Sequence, residues 1–303
     1  ALLLAGKFAR GWAGYETRLR IEKDGVPPRP YAQLRWDGRS EVRGKRILLY
    51  PEQGLGDTIQ FSLYATVLAE RGAHVLLEVQ PPLCAVLGTL AGVGTVFASG
   101  AAMPPFDLHA PLLSLPLALG TTLDTIPAKT PYIAADADKV AAWASRLGPR
   151  TRPRLGIAWS GSATHKNDRF RSARLADFAA LGAGSIEIIS LQKELPAHDA
   201  AAARTLRIAH FGDKLGDFSD TAALVANVDL VVSVDTSAAH LAGALGKEVW
   251  ILLPFRGLDW RWLADRADSP WYPTARLFRQ ERDEPWSSVL ARVAHEARRR
   301  FHF

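Results

Sequence analysis

The chain has 303 residues, of which 48% are hydrophobic and 22% are charged. This composition is typical of a soluble globular protein, and the length favours two hydrophobic cores over one. No apolar run is long enough to span a membrane, and Ala1–Ala5 lacks the basic region and cleavage site of a signal peptide. The single Cys84 excludes an intramolecular disulfide and a cysteine-based zinc site. We therefore expect a cytoplasmic location, and the start at Ala-Leu-Leu-Leu is typical of a piece of a longer protein.

The net charge of +6 makes nucleic acid the first partner to consider. The basic residues are spread along the chain, however, and the one run of three is Arg298–Arg300. A cluster in a predicted polar loop suits a phosphorylated small molecule at least as well: Lys166, Arg169, Arg171 and Arg174. We expect no nucleic-acid partner.

Strands and helices alternate in two successive blocks, which predicts two α/β domains with parallel sheets. We expect a helical segment at 1–40, a first Rossmann-like domain at 41–150 and a second at 151–280. A C-terminal helix at 281–303 is expected to pack back towards the first domain. Ligands of such sheets bind at the carboxyl ends of the strands, so we expect a cleft between the two domains.

The stretch Asn227–Pro254 has the pattern of a strand, a helix and a second strand. Leu230–Val234 is apolar and predicts a strand buried on both faces. Polar residues suited to a helix start follow it: Asp235, Thr236, Ser237 and His240. Free N–H groups and the helix dipole make such a start an anion site, so we expect it to bind a diphosphate. The alternative is that a hydroxyl residue is an ordinary cap and the histidine is packed at the surface.

A glycine-containing turn follows the predicted strand Arg46–Tyr50. Gly54 and Gly56 allow a ligand to approach the backbone closely, but the third glycine of a dinucleotide-binding fingerprint is absent. Asp57 could accept a proton from a nucleophilic hydroxyl, or it could cap the following helix. Glu52 is a second candidate for the proton acceptor.

Polar residues also follow two strands of the second predicted domain. The loop Ser160–Ser172 comes after Arg154–Trp159, and it contains three candidate binding residues, His165, Lys166 and Arg169. Gln192 and Lys193 lie just past the predicted strand Ile186–Leu191, where ligands of open α/β sheets bind. After Pro254 the chain is rich in aromatic residues, which predict core or interface packing or, alternatively, an acceptor platform.

Several of these stretches together resemble a known family: Glu52–Thr58, Trp159–Ser172, Ser190–Lys193 and Asp235–Gly246. They resemble the glycosyltransferase-like domain at the C-terminus of bacterial tetratricopeptide-repeat proteins. That domain is similar to the heptosyltransferase family and, more distantly, to protein O-GlcNAc transferases. Asp259–Leu263 and Ser269–Pro273 support the first relation, and Gly11–Glu16 looks like the end of a repeat array.

The resemblance implies a GT-B fold and a nucleotide-sugar donor held mainly by the second domain, with no metal ion or other cofactor. Asp57 matches the residue proposed as general base in heptosyltransferases, and Lys193 matches a basic residue near the donor phosphates. The donor-phosphate motif corresponds to Asp235, Thr236, Ser237 and His240. The loop residues His165, Lys166 and Arg169 correspond loosely to a polar loop beside the cleft.

The resemblance therefore implies an inverting, metal-independent glycosyltransferase with a nucleotide-sugar donor, and we expect a protein, peptide or saccharide acceptor. Peripheral membrane contact is expected only if the acceptor is a glycolipid. Because stabilisation of the leaving group is commonly a large effect, we expect Lys193→Ala to be at least as damaging as Asp57→Asn. The alternatives are a non-catalytic nucleotide-sugar-binding or scaffold module and, on the same fold, a nucleotide-sugar epimerase.

Overall fold

The computed structural model describes residues 1–21, 29–162, 166–182 and 185–302, and it confirms the predicted fold class. The chain forms two compact units, each with its own five-stranded parallel sheet. Unit 1 comprises Ala1–Ala134 and Asp259–Asp265, and unit 2 comprises Ala135–Leu258 and Arg266–Phe303. These limits differ from the expected domains, because the N-terminal segment and a short late segment both belong to unit 1.

The sheet of unit 1 has the strand order β1-β5-β2-β3-β4. Its strands are β1 (Leu34–Arg35), β2 (Arg46–Tyr50), β3 (His74–Val79), β4 (Thr95–Ala98) and β5 (Leu108–Pro111). Its helices are α1 (Phe8–Tyr15), α2 (Leu55–Phe61), α3 (Leu63–Glu70), α4 (Cys84–Leu87) and α5 (Leu115–Ala118). β2 is a run of apolar residues with fully buried Ile47, Leu48 and Leu49, as expected of a central parallel strand covered on both faces.

The N-terminal segment packs on unit 1. The indole of Trp12 in α1 donates a hydrogen bond to the carbonyl of Thr121 at 2.9 Å. Arg18 lies in the short 3₁₀ turn after α1, and its guanidinium donates to the Glu52 carboxylate at 2.8 Å and to the Ser114 hydroxyl at 2.8 Å. The sequence indicates no partner for this helix, and the structure packs the segment against the residues that follow β2 and β5.

The sheet of unit 2 has the strand order β10-β9-β8-β6-β7. Its strands are β6 (Arg154–Ala158), β7 (Glu187–Ser190), β8 (Leu230–Val234), β9 (Val249–Leu253) and β10 (Ala275–Arg279). Its helices are α6 (Ala137–Leu147), α7 (Asp168–Arg171), α8 (Ala200–Thr205), α9 (Phe218–Ala226), α10 (Ser237–Ala244) and α11 (Trp286–Phe301). All neighbours pair in parallel, so the segments that follow β6, β7, β8 and β9 leave the sheet at one edge.

The C-terminal helix α11 belongs to unit 2. Its apolar side chains Val289, Leu290 and Val293 are fully buried and join the core formed by β6, β8 and neighbouring elements of the same unit. These contacts lie within unit 2, and the packing of the helix towards the first domain stays a prediction. The amphipathic pattern predicted the helix but carried no information about which sheet its apolar face covers. Among the described residues, no helix is both long and apolar enough to cross a membrane.

We predict that Leu290→Ala destabilises the protein by about 2–5 kcal/mol, because a fully buried leucine leaves a cavity when it is truncated. The measurement is urea unfolding followed by tryptophan fluorescence. Ser288→Ala, at an exposed position of the same helix, is the control and should change stability by less than about 0.5 kcal/mol. Equal stability of the two variants would contradict the packing of α11.

Candidate functional site

The predicted diphosphate motif lies where β8 ends and α10 begins. Thr236 is the N-cap residue of α10 and has extended backbone angles, φ −140° and ψ 172°. Its side chain does not cap the helix; its hydroxyl lies 3.0 Å from the Ser233 hydroxyl instead. The first N–H groups of a helix have no partner within the helix. The side chain of Thr236 therefore does not play the capping role that the sequence left open, and diphosphate binding at this helix start stays a prediction.

His240 is buried, and both of its ring nitrogens face protein groups. Nδ1 lies 2.9 Å from the Tyr272 hydroxyl, and Nε2 lies 3.8 Å from the Asp235 carboxylate. The histidine side chain is only 7% exposed. This arrangement corresponds to the alternative of a packed histidine. One of the groups that His240 faces is Asp235, the first residue of the motif.

Arg171 brings a positive charge to the same place. Its Nη1 donates to the backbone carbonyl of Asp235 at 3.1 Å, and its side chain is 16% exposed. The guanidinium lies so close to Gly161 that a Cβ there would stand 2.3 Å from Nη2. Gly161 thus leaves room for the arginine in this position. The sequence placed Arg171 in a basic cluster but gave no reason to single it out.

The other two described basic candidates of this loop are more exposed than Arg171. Lys166 and Arg169 are exposed, and the Arg169 guanidinium lies over the ring of its neighbour Phe170 at 4.5 Å. His165 lies outside the described residues. Of the described basic residues of this loop, Arg171 bonds the motif, whereas Arg169 packs on Phe170.

Gln192 and Lys193 follow the carboxyl end of β7, as predicted, but Gln192 makes close hydrogen bonds and Lys193 does not. The Gln192 side-chain oxygen accepts hydrogen bonds from the N–H groups of Trp159 and Ser160 at 2.7 and 2.8 Å. It therefore fixes the start of the loop after β6. Lys193 is exposed, and its Nζ lies 3.4 Å from the carbonyl of Gly216. A lysine held this weakly can reorient towards a ligand at small cost.

In unit 1, Asp57 lies in the first turn of α2, together with Gly56, and caps that helix. Its Oδ2 accepts a hydrogen bond from the Gly54 N–H at 2.9 Å, and Arg261 donates to its Oδ1. A Cβ at position 54 would stand 3.3 Å from Oδ2, so Gly54 leaves room for the carboxylate. The capping alternative is therefore present in the structure. Asp57 is still 20% exposed, and each carboxylate oxygen keeps a further lone pair.

Arg261 is buried and bonded on every side of its guanidinium. It donates to Gln60 at 2.7 Å, to Asp259 at 2.9 Å and to Asp57. Burial by itself lowers the pKa of Arg261, but the two carboxylates outweigh it and raise the pKa above its ordinary value. The sequence did not reveal this arginine as a site residue, although the segment Asp259–Leu263 carried part of the resemblance.

The two carboxyl groups considered as proton acceptors are in different environments. Burial raises the pKa of Asp57, and the Arg261 guanidinium opposes that effect without cancelling it. Burial also raises the pKa of Glu52, although Arg18 opposes it. The Glu52 side chain has no exposed surface, and it also accepts the Leu113 N–H at 2.9 Å. Glu52 therefore binds the N-terminal segment through Arg18. Of the two carboxyl groups, Asp57 is the more accessible to solvent.

The aromatic residues near Arg261 pack against each other. The Arg261 guanidinium lies over the Trp260 ring at 4.5 Å, and the rings of Trp12 and Tyr15 contact the same ring edge-on at 5.1 and 5.6 Å. Phe61 packs at 6.2 Å from the same ring. These contacts favour the packing interpretation of the aromatic segment over an acceptor platform.

The fold is that of the GT-B glycosyltransferases of family 9. A family 9 glycosyltransferase from Veillonella parvula superimposes with a TM-score of 0.64 and 12% identity, over 86% of this chain and 98% of that one. Heptosyltransferase II of Escherichia coli gives 0.57 and 13%, over 84% and 98%. E. coli WaaC, crystallised with ADP-2-deoxy-2-fluoro heptose, gives 0.53 and 12%, over 83% and 99%.

In sequence, the chain is similar to protein FlbA of Caulobacter vibrioides, with 27% identity over 326 residues. The match covers 97% of this chain and 53% of FlbA, so the chain spans about half the length of this relative. No protein-family model matches the chain. The comparisons thus define the fold.

We predict that Arg261→Met destabilises the protein by about 3–5 kcal/mol, because it leaves the Asp57 and Asp259 carboxylates without their buried cation. Arg266→Met is the control. Arg266 pairs with Asp268, which is mostly exposed, so its loss should cost about 0–1 kcal/mol. Both are measured by urea unfolding at neutral pH. Similar stability of the two variants would show that Arg261 does not hold unit 1 together.

Proposed function

We propose that the protein is a glycosyltransferase that moves a sugar from a nucleoside-diphosphate sugar to an acceptor hydroxyl. The observation that carries this proposal is the position of Asp235–Ser237, at the carboxyl end of the central strand β8 and at the start of α10, in a fold shared with family 9 enzymes. Ligands of open α/β sheets bind at such a position, and a helix start binds phosphate.

In this proposal unit 2 binds the donor. The N–H groups of the first residues of α10 and the hydroxyls of Thr236 and Ser237 hydrogen-bond the diphosphate. Arg171, already bonded to the Asp235 carbonyl, adds a fixed positive charge. Exposed Lys193 adds a mobile one. Such donors, aimed at charge that develops on the leaving diphosphate, replace the metal ion that we expect the reaction not to need.

Asp57 is the general base of the proposal. The acceptor oxygen attacks the anomeric carbon, and its proton passes to Asp57. The bond between that carbon and the diphosphate oxygen breaks, and the anomeric configuration inverts. A base is most effective when its pKa lies near the working pH, and burial moves the pKa of Asp57 in that direction. Arg261 and the Gly54 N–H hold the carboxylate in one orientation.

A second candidate is a non-catalytic nucleotide-sugar-binding module. The observation that favours it is that Asp57 already accepts an ion pair and a capping hydrogen bond, which together account for a structural role. Such a module would bind donor without turnover. A repeat array attached to the domain, a protein or peptide acceptor and a cytoplasmic location stay predictions under either candidate.

We predict that a nucleoside diphosphate stabilises the protein by about 2.7 kcal/mol at one hundred times its Kd. The measurement is a thermal-shift panel of ADP, UDP, GDP and CDP, with magnesium and with EDTA. Arg171→Met should abolish the shift, because it removes a charge beside the motif. Arg174→Met, at an exposed position of the same segment, should retain it. A shift that survives in Arg171→Met would exclude this arginine from the donor site.

We predict that Asp57→Asn lowers turnover about 10²–10⁴-fold on the nucleotide sugar found in the panel, while diphosphate binding is retained. Product formation is followed by mass spectrometry, with and without candidate acceptors. Asp37→Asn, at an exposed position of unit 1, is the control. Lys193→Ala in the same assay tests whether stabilisation of the leaving group matters as much as the base. Donor binding by a wild type that forms no product would favour the binding module.

A further inference from the structure

Tyr272 approaches the diphosphate motif from a distant part of the chain. It follows Ser269-Pro270-Trp271, 32 residues after His240, and its hydroxyl lies 2.9 Å from Nδ1 of that histidine. The tyrosine is fully buried. Its hydroxyl therefore acts on His240 from inside unit 2 and is not a group for the solvent side of the site.

The backbone of Tyr272 is fixed by a buried serine. The Ser269 hydroxyl oxygen accepts the N–H groups of Trp271 and Tyr272 at 3.2 and 3.3 Å. Ser269 is itself 6% exposed. The Ser269 side chain thus stabilises the turn from which Tyr272 reaches α10.

The ring of Tyr272 packs closely against α10, and a glycine makes this possible. A Cβ at Gly243 would stand 2.5 Å from two atoms of the tyrosine ring, closer than atoms can approach without rearrangement. Gly243 lies one turn beyond His240 on the same helix. The glycine therefore lets the hydroxyl reach the histidine, although glycine is unfavourable inside a helix.

The two neighbours of the imidazole favour one tautomer. An ionised carboxylate only accepts hydrogen bonds, so the Asp235 carboxylate, 3.8 Å from Nε2, favours a proton on that nitrogen. In that tautomer Nδ1 carries a lone pair, to which the Tyr272 hydroxyl 2.9 Å away would donate. The chain of contacts runs from the Tyr272 hydroxyl through the ring to Asp235, the first residue of the motif.

We propose that Tyr272 is a positioning residue, which fixes the tautomer and the ring orientation of His240 and, through it, the backbone of the diphosphate motif. The inference rests on the proposed function for its consequence on ligand binding. The tautomer itself is a property of the free protein. A histidine fixed from both sides keeps Asp235 and Thr236 in one arrangement, and preorganised donors need no rearrangement when the diphosphate arrives.

The test is Tyr272→Phe, which deletes one hydroxyl and keeps the ring against Gly243. Tyr64→Phe is the matched control: Tyr64 is also buried, and its hydroxyl bonds Thr121 at 3.0 Å in unit 1. Nitrogen-15 NMR of histidine-labelled free protein reports which imidazole nitrogen carries the proton, and His240→Gln assigns the signal. We expect a single tautomer with the proton on Nε2 in the wild type and in Tyr64→Phe. We expect a mixture in Tyr272→Phe.

Titration of the same proteins with the nucleoside diphosphate found in the thermal-shift panel gives the second readout. We expect about tenfold weaker binding for Tyr272→Phe and unchanged binding for Tyr64→Phe, as for the loss of one well-placed hydrogen bond. Unchanged nitrogen shifts in Tyr272→Phe would overturn the inference. So would altered shifts with unaltered affinity. If the shifts change but no diphosphate binds even the wild type, the positioning role stands and the proposed function fails.

Discussion

The guanidinium of Arg261 is buried, and a charge removed from water costs several kcal/mol unless it is paired and hydrogen-bonded (about 3–5 kcal/mol when one partner is lost). Asp57, Asp259 and Gln60 meet that requirement, and the ring of Trp260 covers one face of the cation. To bring the arginine to these partners, Asp259–Asp265 must leave unit 2 and pack in unit 1. The carboxylate that we propose as base is thus oriented by a residue from the last sixth of the chain.

Unit 2 organises its edge in a similar way, by bonding polar side chains to the backbone of neighbouring loops. Gln192, after β7, holds the N–H groups that follow β6. Arg171 holds the carbonyl that follows β8. Each bond joins segments that are distant in sequence but adjacent in the parallel sheet. These bonds hold backbone groups near the start of α10 in place, and such preorganisation is the condition for electrostatic stabilisation without a rearrangement cost.

The sequence was sufficient for the elements and insufficient for the contacts between them. The apolar run Leu230–Val234 predicted β8, and the polar residues after it predicted the start of α10. Both predictions succeed because hydrophobic patterning and helix-start signals lie in neighbouring residues of the sequence. The pairing of Arg261 with Asp57 spans 204 residues, and no local pattern encodes it. The same holds for α11, whose apolar stripe predicted a helix without naming the sheet it covers. His240 shows the intermediate case: its place in the first turn was evident, whereas the partner of its ring was not.

The division of unit 1 into two pieces of chain limits how the protein can be taken apart. The backbone passes between the units three times, after Ala134, after Leu258 and after Asp265. A gene fragment that ends at Ala134 encodes Asp57 without its partner Arg261. The remaining fragment encodes Arg261 without the Asp57 carboxylate of α2. Neither half is then a complete folding unit. Any fusion, domain exchange or split version of this protein that is meant to contain unit 1 therefore has to include Asp259–Asp265 as well as residues 1–134.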